Sequence, residues 1–362
     1  MKGVLLHGGF GTRLRPLTHT GPKQLIRVAG KPVSQWALED LRDSGVRDVA
    51  IILGELGPDK VIDFYGDGSW LGMKLTYIYQ GYPYGLAHAI YIAKKFIGDE
   101  PFVVYLGDNI LIDGISEFVK KFIDSDADAM VLLTKVPDPR KFGVAEFDES
   151  GRLKRLVEKP KKPPSNYALV GVYFFRPPHI FRAIETLKPS WRKELEITDA
   201  IQKLINWGLK VDYSIVKGWW KDTGEVEDLL EANRILLDHK YKKQIIKGEI
   251  RENARVEGRV FIDEGAIIEN NSIVRGPTYI GKNTVIGPKT YIGPYTSIGN
   301  NCKLINVEVE NSIILDNVVI EGISNRMTDS IIGSNTTIIK RHGVPRGYRF
   351  IVGEISKITI NI

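Results

Sequence analysis

A single cysteine, Cys302, stands in 362 residues. A lone thiol excludes an internal disulfide framework and a cysteine-ligated zinc site. No run of about 18 apolar residues occurs, so no segment reads as membrane-spanning. Met1 to Leu6 lead straight into a glycine loop, with no long apolar stretch and cleavage site, and the expected location is cytoplasmic. Charge of one sign is not concentrated anywhere. The net charge is +6, yet the densest basic stretch, His239 to Lys243, reads as a solvated helix end; a nucleic-acid footprint normally covers one face more continuously. Neither a nucleic acid nor a membrane is an expected partner. What remains is an ordinary globular composition, 43% hydrophobic and 26% charged, on a chain long enough for two domains.

The two parts follow different patterns. Up to about residue 238 short apolar runs alternate with helical periodicity. Gly3–Leu6, Val49–Leu53, Leu75–Tyr79 and Pro101–Leu106 read as strands; Ser34–Ser44, stopped by Gly45, and Leu86–Phe96 read as helices. Such alternation predicts an α/β fold, a doubly wound and mostly parallel sheet covered on both faces. Ligands of such sheets bind beyond the C-terminal strand ends, where Gly8–Leu14 and Gly107–Asn109 fall.

Residues 239–253 read as a linker. From residue 254 to 340 the period becomes six. Val256, Ile262, Ile268, Val274, Ile280, Ile286, Ile292, Ile298 and Leu304 recur without a miss. After a phase slip the period resumes at Ile314 and Ile320, fails at Arg326, and returns at Ile332 and Ile338. A hexad of this kind predicts a parallel β-helix in which each aliphatic stacks on the one a coil below. Glycines and asparagines are expected at the corners, where positive φ costs little. The tail, 341–362, carries a strand-like stretch at Tyr348–Val352 and is expected to cap the open end.

The segment that carries chemistry is Gly8-Gly9-Phe10-Gly11-Thr12-Arg13-Leu14, with Pro22-Lys23-Gln24 shortly after. A glycine loop following a first strand can wrap a triphosphate with backbone N–H groups. A Walker loop would end in Gly-Lys-Ser/Thr, a dinucleotide fingerprint would place a glycine at Leu14, and no Gly-x-Ser-x-Gly elbow accompanies His7-Gly8-Gly9.

The loop resembles the signature of the nucleotidyltransferases that make nucleotide sugars, and most closely the long-form glucose-1-phosphate thymidylyltransferases with a C-terminal left-handed β-helix. Further motifs carry the resemblance along the chain: Gln80 with Gly85-Leu86-Ala87, Leu106-Gly107-Asp108-Asn109, Phe142-Gly143-Val144, Val157-Glu158-Lys159-Pro160, Glu194 to Asp199, and Trp220-Lys221-Asp222-Thr223-Gly224. It implies attack of a sugar phosphate on the α-phosphorus of dTTP, with glucose 1-phosphate as acceptor and Mg²⁺ as cofactor. Gly8, Gly9, Gly11 and Thr12 would cradle the triphosphate. Arg13 would fork across the β- and γ-phosphates and Lys23 would meet the α-phosphate. Asp108 and Asp222 would hold the metal. Gln80 and Gly85 would receive the base, and Gln24 the nucleotide near its sugar. For the hexose the resemblance implies Glu158, Gly143 and Glu196, with Leu86, Leu106, Val170 and Trp220 as walls; Lys159 would hold its phosphate. A homo-oligomer assembled through the β-helix is expected.

Plainer readings stand beside these. Asp108 alone is a turn residue after a strand, Asp222-Thr223-Gly224 can simply cap a helix, and His7 reads as a packed strand-end residue. Uracil and thymine share one Watson–Crick edge, so UTP is an open alternative. An acetyltransferase activity in the β-helix is disfavoured, because residues 254–339 contain no histidine. A regulatory homologue without catalysis is also disfavoured, since Arg13, Lys23, Asp108 and Asp222 are all present.

Overall fold

The computed structural model describes residues 1–340, 352 and 355–359; the rest of the expected capping tail, with most of its strand-like stretch, lies outside them. The chain divides into two compact units. The first comprises Met1–Phe10, Thr20–Gln24 and Ser34–Asp222; the second comprises Gly11–His19, Leu25–Val33 and Thr223–Ile362.

The first unit is built on strand β1 (Lys2–His7), whose Val4, Leu5 and Leu6 are buried. Helix α1 (Val33–Asp43) follows and ends at Gly45, φ 88°. Next come β2 (Asp48–Gly54), β3 (Lys74–Gly81), helix α2 (Leu86–Ile92) and β4 (Phe102–Leu106). Strands β1, β2, β3 and β4 pair in parallel in the order β4-β1-β2-β3. Continuous apolar runs suit these strands because helices cover both faces. The expected helix Leu86–Phe96 is broken at Ala93, with a second short helix at Lys94–Ile97.

Beyond β4 the sheet departs from the parallel expectation. After β5 (Asn109–Leu111) the chain adds β6 (Ala129–Lys135), β7 (Gly143–Phe147), β8 (Leu153–Glu158) and β9 (Tyr167–Phe175). β9 runs antiparallel to β4, β6 and β7, so the sheet is mixed. A nine-residue strand that is apolar on both faces reads the same in either direction, and its polarity is set by partners distant in sequence. Helix α3 (Ile197–Asn206) leads to β10 (Val211–Ile215), parallel to β6, and then to β11 (Trp220–Asp222). β11 leaves the main sheet and pairs antiparallel with β5, setting Asp222 opposite Asn109 and Trp220 opposite Leu111.

The second unit is a parallel β-helix of three sheets, an arrangement that agrees with a left-handed coil, together with helix α4 (Val226–Lys240) and two loop segments. One coil takes 18 residues: Val260 pairs with Thr278, and Thr278 with Thr296. Ile262, Ile268, Val274, Ile280, Ile286, Ile292, Ile298 and Leu304 are fully buried. Each such aliphatic contributes about 1.5–3 kcal/mol relative to exposure.

The phase slip is two shortened corners, since Leu304, Val309 and Ile314 succeed one another at five-residue steps. At the apparent failure Met327 stacks on Val309, and Arg326 turns outward over Tyr291 at 4.9 Å to pair with Glu308 and Glu310. The coil also begins before residue 254. Ile245–Ile246 and Glu249–Ile250, expected as linker, pair with Phe261–Ile262 and Ile267–Ile268. Ile246 and Ile250, stacked under Ile262 and Ile268, are only four residues apart, a step that a six-residue period does not follow. At the corners the asparagines take left-handed φ as expected, Asn283 and Asn301 among them, with Lys289 and Tyr295 doing the same, whereas the Ile-Gly glycines do not. Gly281 is required for closeness, because an added Cβ would lie 2.5 Å from the Gly299 carbonyl oxygen.

The division at residue 238 also moves. On α4, Asn233 accepts from the Ala29 amide at 2.8 Å and donates to the Tyr295 carbonyl at 2.8 Å. Arg27 pairs with Asp316 at 3.0 Å. The helix and the 25–33 loop therefore belong with the β-helix.

Candidate active site

The C-terminal ends of β1 and β4 lie side by side, with Leu6 opposite Leu106, and both chains turn into glycines there. Gly8 and Gly9 follow β1; Gly107 and Asp108 follow β4. Gly107 is held close, its amide donating to the Leu6 carbonyl at 2.9 Å. Gln24 is buried, and its amide nitrogen donates to the Gly8 carbonyl at 2.9 Å. It therefore braces the glycine loop, a task beside the nucleotide contact expected of it. His7 completes the support. Its Nε2 meets Ser34 Oγ at 2.9 Å, which in turn donates to the Gln24 carbonyl at 3.0 Å. Burial depresses the His7 imidazole to about pKa 3, against a smaller opposing pull from Asp108, so the ring is neutral. The packed strand-end reading of His7 matches this geometry.

Asp108 forms an ion pair with Lys23. Burial alone would raise its carboxyl; the charge and hydrogen bond of Lys23, aided by the Asn109 amide at 2.8 Å, hold it below the usual carboxylate range. Asn109 also receives the Gly171 amide at 3.2 Å and the Trp220 indole at 2.7 Å on Oδ1. One buried amide thus fixes Asp108 and Trp220 together, and the β11–β5 ladder brings Asp222 opposite it. Two carboxylates 114 positions apart in the chain are joined through a three-residue strand.

On the nucleoside side, an added Cβ on Gly8 would meet Gln80 Oε1 at 3.3 Å, so the expected base reader adjoins the loop. Gln80 Nε2 lies 3.4 Å from the Gly85 carbonyl and 3.2 Å from His88 Nδ1. Gly85 has φ 109°, and a Cβ there would come within 2.5 Å of the Leu195 backbone. Packing against Leu195 is a sufficient reason for this glycine, in addition to the base-side role expected of it.

The acidic pocket is assembled around Arg192. Its guanidinium reaches Glu158 at 3.3 Å, Glu194 at 2.9 Å and Glu196 at 3.4 Å. Ser190 donates to Glu196 at 2.7 Å and Thr198 to Glu158 at 3.4 Å. Burial, then repulsion from Glu196, raises the Glu158 carboxyl above its usual range despite Lys159 and Arg192. Glu158 stands opposite Gly143 in the β8–β7 ladder, where a Cβ would be 2.6 Å from Leu169. Lys159 is exposed on a left-handed backbone, φ 41°. Trp220 packs edge-on to Phe142 at 5.4 Å. Leu86 and Leu106 are half-buried. Val170 is fully buried within β9, which is covered on both faces, so it does not present the sugar-facing wall expected of it. Asn109 and Arg192 were not singled out from the sequence. Their only local signals are the position of Asn109 beside Asp108 and the charged run Arg192-Lys193-Glu194.

The rest of the loop belongs to the second unit. Gly11 has φ 58° and its carbonyl accepts from Thr18 at 2.8 Å. Thr12–Leu14 form one 3₁₀ turn. Arg13 pairs with Glu225 at 3.3 Å, and a Cβ on Gly224 would meet its guanidinium at 2.8 Å.

Residues 2–239 match the nucleotidyl transferase family, and residues 274–359 match the GMPPB C-terminal domain. The chain belongs to the nucleotidyl transferase family. The low-salt glycan biosynthesis nucleotidyltransferase Agl11 of Haloferax volcanii is 48% identical over 99% of this chain and 100% of its own. A glucose-1-phosphate thymidylyltransferase of Streptomyces antibioticus is 46% identical over 99% of both. A UDP-glucose pyrophosphorylase solved with UDP-glucose superposes with a TM-score of 0.59 at 29% identity, covering 66% of this chain and 98% of that one. This nucleotidyltransferase is therefore an enzyme of the sugar-1-phosphate type, from a family that generally uses a divalent metal. The donor set fits such an ion. Asp108 holds a cation, Lys23, and a hard divalent ion needs only one or two carboxylates when phosphates and water complete its shell.

Proposed function

We propose that this nucleotidyltransferase converts dTTP and α-D-glucose 1-phosphate to dTDP-glucose and pyrophosphate. The observation that carries the reading is the Lys23–Asp108 pair at the end of β4, with Asp222 brought opposite the adjoining Asn109. A phosphate monoester is a weak nucleophile and must approach a polyphosphate of its own sign, so catalysis is charge neutralisation and positioning. Asp108 and Asp222 would hold Mg²⁺, which would supply positive charge to the reacting phosphates. Lys23 carries its ammonium to the α-phosphate. Arg13, with five fixed donors, takes the β- and γ-phosphates and the departing pyrophosphate. Gly8, Gly9, Gly11 and Thr12 offer backbone donors along the triphosphate.

Gln80 offers donor and acceptor to the pyrimidine edge beside Gly85. Glu158 and Glu196 accept sugar hydroxyls between Leu86, Leu106 and Trp220, with Gly143 donating from the backbone, and Lys159 holds the sugar phosphate. Residues 1–238 carry this chemistry, and the coils, from Ile245 to residue 340, serve self-association. UTP is the second reading, because a single methyl discriminates by only about 10–200-fold.

Pyrophosphate release with Mg²⁺ across dTTP, UTP, ATP, GTP and CTP, each paired with glucose 1-phosphate and glucosamine 1-phosphate, tests the proposal. A preference for dTTP with glucose 1-phosphate supports it. Turnover favouring UTP or another sugar removes the thymidylyl assignment, and no turnover with any pair removes the reading altogether.

A further inference from the structure

Three large rings stand exposed together on the first unit. Phe10 is 42% exposed, Tyr82 56% and Tyr84 53%. They are in contact: Phe10 meets Tyr82 edge-on at 6.5 Å, Tyr82 meets Tyr84 at 5.0 Å, and Tyr84 meets His88 edge-on at 5.4 Å. His88 in turn touches Gln80 at 3.2 Å. The rings therefore form a continuous rim from the glycine loop, through the Tyr82-Pro83-Tyr84 turn, to the amide assigned to the base. Clustered apolar surface left in water marks a binding site more often than scattered residues do. None of these rings enters the hydrophobic core, where their burial would be most stabilising.

We propose that Phe10, Tyr82 and Tyr84 are a stacking platform for the pyrimidine ring of the incoming nucleoside triphosphate. The inference rests on the reading of Gln80 as the residue facing the base. A side-chain amide satisfies the hydrogen-bonding edge of a base but leaves its π-face against water; an aromatic ring beside it covers that face. Stacking tolerates any base, because every base has a π-face. The rim accordingly supplies affinity for the nucleoside without choosing thymine over uracil.

The test is direct binding by calorimetry to the full chain, without sugar phosphate. The probes are dTTP, UTP and inorganic tripolyphosphate. Tyr82→Ala and Phe10→Ala are each expected to weaken dTTP and UTP by a similar factor, roughly 5- to 150-fold, the range measured for base–aromatic stacks. Tripolyphosphate binding is expected to stay unchanged, and Tyr82→Phe to restore nucleotide affinity where Tyr82→Leu does not. Trp207→Ala, an exposed aromatic elsewhere on this unit, controls for general surface effects. Equal nucleotide affinity in all variants, or a parallel loss for tripolyphosphate, overturns the platform while leaving the proposed reaction intact. Failure of the unaltered protein to bind either nucleotide overturns both.

Discussion

The two units solve the problem of holding a backbone in place by opposite means. In the β-helix the same few devices repeat: an aliphatic inward, a left-handed corner, a hydroxyl on a neighbouring carbonyl. Asn283, Asn301, Asn317 and Asn335 extend the pattern, each amide donating to the next at 3.2–3.3 Å. The α/β unit repeats nothing at its working end. Lys23, Asp108, Asn109 and Trp220 form one linked set, Lys23 on Asp108, Asn109 on Asp108 and Trp220 on Asn109, and no second copy of it stands nearby. Repetition spreads stability across many small terms, whereas a site concentrates its chemistry in a few groups whose loss nothing nearby replaces.

That contrast can be broken first at Asp108. Asp108→Asn keeps the size of the side chain and removes the charge paired with Lys23. Loss of one preorganised electrostatic group of this kind is expected to lower kcat/KM by at least about 10²–10³-fold. Pyrophosphate release checks it, and activity within a few-fold of the unaltered enzyme would place the metal site elsewhere.

The second prediction concerns His7, a single buried group whose state reports on the loop. Its folded pKa, about 3, lies below the ordinary value of 6.5. Between those two values the unfolded chain binds a proton that the folded chain refuses. Stability from this group is therefore complete above pH 6.5 and falls as pH drops toward 3, by about 1.4 kcal/mol per unit at most. Urea unfolding between pH 7 and 4 should show a shallower slope for His7→Gln. An identical slope would mean that His7 titrates normally in the fold.

The smallest effect is expected in the repeat. Gly281→Ala forces a methyl 2.5 Å from the Gly299 carbonyl oxygen. Overpacking of this kind costs about 1–3 kcal/mol. A fall in the denaturation midpoint with activity retained at low temperature would confirm that the coil yields locally. A neutral result would show that adjacent coils can part without cost.

Much of this is legible in the amino-acid sequence. The first four strands and both early helices follow from apolar runs and stop signals. The hexad follows from spacing that survives counting. The break at Ala93 did not show, because Leu86 to Phe96 keeps helical periodicity through it. Strand polarity did not show either: β9 is apolar on both faces, and hydrophobic pattern is blind to direction. Met327 was hidden by a seven-residue step that a fixed period cannot follow.

By itself the amino-acid sequence determined the periodicities, and with them a strand–helix region followed by stacked coils. It also supplied the glycine loop and the charged groups suited to polyphosphate, since those depend on residue type and close spacing. Only the tertiary structure decided which groups meet. Asp222 comes opposite Asn109 because three residues of β11 leave the main sheet to pair with β5. Arg192 gathers Glu158 and Glu196 because the turn before α3 lies against the end of β8. Val170 is sealed because its strand is covered on both sides. Local preference is written in neighbouring residues, but contact between distant ones depends on how whole elements pack, and that is a property of the assembled fold.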